Sequence, residues 1–117
     1  MPTLTTSGVG FSFQLRSDPA DRDESITTAR AACAAVPQGH WLFPAFQNNL
    51  SLALRRRGNA ADLDEAVSAA RTAVRTAGRD HKGADLFRTN LTAALHACFR
   101  NAGNWSDLRE AMRLDEE

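Results

Sequence analysis

Residues 49–67 read NLSLALRRRGNAADLDEAV. Leu50, Ala53 and Leu54 recur at helical spacing, three arginines close the run, and Gly58 breaks it. A second amphipathic pattern then opens at Asp62-Leu63-Asp64-Glu65. The stretch predicts two helices joined by a tight turn.

The pattern occurs more than once. Sliding residues 21–57 over 62–98, an offset of 41, gives twelve identical pairs in 37 positions. They include Asp21/Asp62, Glu24/Glu65, Arg30/Arg71, His40/His81, Phe46/Phe87, Asn49/Asn90, Leu50/Leu91 and Leu54/Leu95. A third copy begins at Asp107, where DLREAM echoes DLDEAV after a spacing of 45, about one helical turn longer. Repetition on this scale points to stacked supersecondary units, none of which buries its apolar face alone.

Each copy opens with Asp-x-x-Glu: Asp21/Glu24, Asp62/Glu65 and Asp107/Glu110. The spacing is that of a capping box with Asp as the cap, and it predicts three helix starts. Leu63, Ala66, Val67, Ala70 and Val74 lie on one face of a helix over about 62–77, which Gly78 ends in a left-handed conformation. Helices follow over about 84–101 and 105–114, and others precede over about 42–57 and 19–35. Pro44 sits in a first turn, where a missing N–H costs nothing, and Asp18-Pro19 reads as a cap followed by a first-turn proline. The expected fold is an all-α, α-α superhelix of about two and a half helix-pair repeats over residues 18–117, with five helices and an extended N-terminal segment over 1–17. Phe46 and Phe87 are expected at equivalent buried positions.

The helix ending NLSLALRRRGN, then DLDEAVSAARTAV, then a loop containing GRDH, resembles the bacterial tetratricopeptide repeats of enlarged period. Such repeats are often found beside caspase-like or signalling domains. The resemblance covers roughly residues 21–114 and implies a scaffold that binds a partner protein or extended peptide on its concave face. It also implies that Asn49 and Asn90 line that face. The small residue of the first helix, commonly Gly in the family, is Ser51 in one copy and Thr92 in the next. The first helix of the first repeat has no counterpart, and Met1–Ser17 stands in its place.

Composition narrows the function. Fourteen Lys+Arg balance fourteen Asp+Glu, which argues against a chain that grips nucleic acid or anionic lipid. The opening Met-Pro-Thr-Leu-Thr-Thr has neither a basic nor an apolar targeting region, and the longest apolar run, 31–36, cannot span a membrane. The expectation is a cytoplasmic protein with Cys33 and Cys98 as buried, reduced thiols.

Candidate chemistry is sparse. His40 and His81 repeat at one loop position, and His96 and Cys98 point to different helix faces, so neither catalysis, a metal site nor a cofactor is expected. Arg55-Arg56-Arg57 reads as a solvated helix end or as a grip on an acidic partner. RNA binding is disfavoured because only Trp41 and Phe43 lie near enough to stack. A neutral amide suits a peptide backbone, so Asn49 and Asn90 are candidate binding residues, or else they fix the helix stack. Asn48, Arg55, Arg56, Thr89 and His96 lie on nearby turns and complete the candidate surface. Val9, Phe11, Phe13 and Leu15 alternate with period 2. They predict an extended segment that covers the first helix or pairs with a twin in a homodimer. A small-molecule accessory role is the remaining alternative.

Overall fold

Gly58 and Gly103 each take a left-handed conformation (φ 74°, ψ 15° and φ 72°, ψ 22°) and return their N–H to Leu54 and Phe99 carbonyls. Each is followed at once by an asparagine that starts the next helix. In a computed structural model of the chain, which describes residues 19–116, these two Gly-Asn turns join four of five helices into two hairpins. The helices are α1 (Pro19–Ala35), α2 (Phe43–Arg57), α3 (Ala60–Ala77), α4 (Ala84–Ala102) and α5 (Trp105–Glu116). No strand occurs among the described residues, so the fold is all-α. The expected segment at 1–17, with Val9, Phe11, Phe13 and Leu15, lies outside the described residues, as does the Asp18 cap.

The capping boxes are corrected. Asp62 sits in the first turn of α3, and Asn59 is its cap, accepting the Asp62 N–H at 2.9 Å. Asn104 does the same for α5, accepting the Ser106 N–H at 3.1 Å and its hydroxyl at 2.9 Å. The aspartate of each Asp-x-x-Glu motif thus lies inside a first turn, with the glutamate in the next turn. Glu65 and Glu110 turn outward to arginines, because a bidentate guanidinium outbids a lone backbone N–H. Gly78 is also corrected in part: its φ is positive, but with ψ −176° it leaves α3 extended rather than left-handed helical.

Each helix packs on its neighbour in sequence, and α2 also packs on α4. Two apolar clusters result. Ile26, Leu50, Leu54, Ala66 and Ala69 join α1, α2 and α3. Leu63, Val67, Leu91, Leu95 and Ala111 join α3, α4 and α5. Ser51, fully buried, donates its hydroxyl to the Ala66 carbonyl at 2.7 Å, so α2 and α3 approach closely there. Phe87 is buried at 3% exposure, whereas Phe46, its sequence equivalent, is only partly covered.

Candidate binding surface

The loops before α2 and α4 are built alike. His40 Nδ1 accepts the Leu42 N–H at 3.0 Å, and His81 Nδ1 accepts the Gly83 N–H at 2.9 Å, 41 residues on. Both imidazoles therefore serve loop closure. His81 carries its proton on Nε2, which reaches the Trp41 carbonyl at 3.1 Å and ties one loop to the other.

The alternate helices α1, α3 and α5 are linked by matching ion pairs. Arg30 forks onto Glu65, its Nη2 at 2.9 Å from Oε1. Arg71 forks onto Glu110 at 2.9 and 2.5 Å. The Arg71 guanidinium holds the Glu110 carboxyl below the usual range. The two arginines are repeat-equivalent, as are the two glutamates.

The three arginines that close α2 have three different surroundings. Arg57 forks onto Asp62 and also reaches Asp23 at 2.9 Å. Arg55 is half-buried and donates to Asn90 Oδ1 on α4 at 2.9 Å. Burial, and next the like charge of Arg100, push the Arg55 pKa down. Arg56 is exposed.

The seven residues expected to form one surface divide. Asn48 (4% exposed) and Asn90 (5%) are buried, the first with its Oδ1 and the second with its Nδ2 unbonded. Asn49, equivalent to Asn90 in sequence, is exposed and lines a groove of about 450 Å³ between α1 and α2, with Phe46 and Thr28. Thr89 is exposed and lines a second groove of about 490 Å³ between α4 and α5, with Thr92 and Leu114. His96 is half-buried. The open stripe of α2 is Asn49, Leu52 and Arg56, and that of α4 is Leu86, Thr89, Ala93 and His96. Leu86 stands 61% exposed, and Leu52 38%.

Sequence reasoning missed both cross-helix ion pairs, although each is written as a repeated Arg and a repeated Glu. It also missed the Gly-Asn-x-x-Asp-Leu motif at 58–63 and 103–108, which marks the true helix starts. Burial raises the pKa of both thiols, and Cys98 donates to the Leu63 carbonyl at 3.2 Å. Among the described residues no three metal-ligating side chains converge, and no helix is long and apolar enough to cross a membrane. No protein-family model, curated protein or solved structure matches the chain.

Proposed function

We propose that the chain is a tetratricopeptide-like solenoid that binds an acidic, partly apolar segment of a partner protein along α2 and α4, as a non-catalytic scaffold in the cytoplasm. The observation that carries the reading is the adjacency of α2 and α4. The exposed residues of the pair include Leu52 and Arg56 on α2 and Leu86 and Thr89 on α4. Leu52 and Leu86 supply apolar contact, and Thr89 supplies a hydroxyl group for a peptide backbone. Burial and, next, the like charge of Arg100 disfavour the Arg55 cation, and an incoming carboxylate would offset that. The repeated Arg–Glu pairs and histidine-closed loops support the solenoid, since each joint is made twice with equivalent residues. Thiols pushed above their ordinary pKa suit a structural role in a reducing compartment.

Affinity capture followed by mass spectrometry supplies the partner, and its bound segment is then titrated as a synthetic peptide. Arg56→Ala and Thr89→Ala should each weaken binding by about 1 kcal/mol, roughly fivefold. Added salt should weaken it further. An affinity that neither changes and that salt leaves untouched would overturn the reading. Light scattering should give the monomer mass at every concentration.

A further inference from the structure

The groove between α1 and α2 has a filled counterpart elsewhere in the molecule. It is lined by Glu24, Ser25, Thr28, Ala29, Ala32, Phe46 and Asn49, all exposed or half-exposed. Forty-one residues on, these become Glu65, Ala66, Ala69, Ala70, Ala73, Phe87 and Asn90, and all but Glu65 are buried. The element that packs there is α2. Leu50 and Leu54 cluster with Ala66 and Ala69, Ser51 donates to the Ala66 carbonyl, and Arg55 donates to Asn90. The groove is therefore the seat of a helix like α2, and no described residue fills it.

The chain ahead of α1 carries that register. Shifted by the same 41 residues, Val9 stands at Leu50, Gly10 at Ser51, Phe13 at Leu54, Gln14 at Arg55 and Arg16 at Arg57. Apolar residues fall on two of the three core positions, the small Ser12 falls on the third, Ala53, and the smallest residue falls where α2 and α3 approach closely. An amide takes the place of the guanidinium that bonds Asn90. Arg16 lies five residues before Asp21, the spacing of Arg57 and Asp62. Eighteen residues precede Pro19, and α2 is 15 residues long, so the segment is long enough and joins α1 at the correct end.

We propose that residues 9–16 dock as a helix in the α1–α2 groove of their own chain, in the register that α2 uses against α3 and α4. Phe13 enters between Thr28 and Ala29, Gln14 meets Asn49, and Gly10 passes close to the Ser25 carbonyl. The inference rests on the repeat reading above, but its test needs no partner.

Hydrogen exchange and backbone chemical shifts are measured on the full chain. Amides of residues 12–16 should exchange at least about tenfold more slowly than an unfolded reference, with helical Cα shifts over 9–16. Thr28→Arg, which fills the groove from an exposed position, should abolish that protection and leave α3–α5 protected. Thr27→Arg, on the exposed neighbouring face, should leave it intact. Free exchange of 12–16 in the unaltered chain would overturn the proposal, and so would extended Cα shifts or protection that Thr28→Arg does not touch. Protection that grows with protein concentration alongside a doubled mass would assign the groove to a twin's segment and overturn docking within one chain. Loss of peptide binding with this protection intact would sink the proposed function alone.

Discussion

Arg57 grips Asp62 with two parallel hydrogen bonds, Nε to Oδ2 and Nη2 to Oδ1, both 2.7 Å, across the Gly58-Asn59 turn. Asp62 is 4% exposed, and the guanidinium holds its carboxyl below the usual range. The fork fixes the angle at which α3 leaves α2, and Asp23 extends it to α1. Arg57→Ala leaves a buried carboxylate with its guanidinium partner gone. In urea titrations it should lower stability more than Arg56→Ala, whose side chain is exposed.

The same pair sets an acid limb. Because the folded pKa of Asp62 lies below its ordinary 3.8, the stabilisation is present above that value and is lost as pH falls through the folded pKa. Glu110, held down from 4.5 by Arg71, adds to the loss in the same direction. Unfolding midpoints should therefore be flat from neutral pH to about 5 and fall steeply below about 4. Asp62→Asn should be less stable at neutral pH and show a shallower acid decline.

Phe87 is buried and Phe46 only partly covered among the described residues, despite their matching sequence positions. Phe87→Ala should cost about 3–5 kcal/mol by thermal or urea unfolding, and Phe46→Ala should approach that in the full chain but fall to roughly 1–2 kcal/mol in a Thr28→Arg background that blocks the groove. Gly83→Ala probes the same contact from outside, since an added Cβ would stand 2.7 Å from the Phe87 ring. Equal losses for the two phenylalanines would mean that the α1–α2 groove is filled as fully as its counterpart.

Ser51 tests the close approach of α2 and α3. Ser51→Ala, which removes the hydrogen bond to the Ala66 carbonyl, should cost about 1 kcal/mol, while Ser51→Leu should cost about 1–3 kcal/mol through overpacking. The order is checked by urea midpoints, and it reverses if the site has room to spare.

Thiol labelling separates the cysteines. Cys98, buried and bonded to the Leu63 carbonyl, should react with a thiol probe only as the protein unfolds. Cys33, half-buried and also raised in pKa by burial, should react in the folded state but more slowly than a free thiol.

Helix number, type and boundaries were legible in the sequence because the periodicity is strong and glycines or prolines punctuate it. The caps were misread by three residues. Asp-x-x-Glu fits a capping box so well that the Asn ahead of it was passed over, although Gly-Asn precedes it at both 58–59 and 103–104. The repeat also led to equal expectations for Asn49 and Asn90. Identity of sequence position does not carry identity of surroundings when one copy lies at the end of a stack. Asn90 has α2 beside it and receives Arg55, whereas Asn49 opens into a groove. The arginine run was legible as charge, but its division among Asp62, Asn90 and solvent depends on helix angles that no single stretch encodes.

The two Gly-Asn turns also govern the route to the folded state. A connector of two residues, one left-handed and the next already a cap, closes a hairpin over a very short loop. The α2–α3 and α4–α5 pairs thus make their first contacts with neighbours close in sequence, at little entropic cost. The loops at 36–42 and 78–83 are longer, and histidines close them, so docking between hairpins comes as a second event. Folding should be fast, on the order of microseconds to milliseconds, with the hairpins forming before the stack.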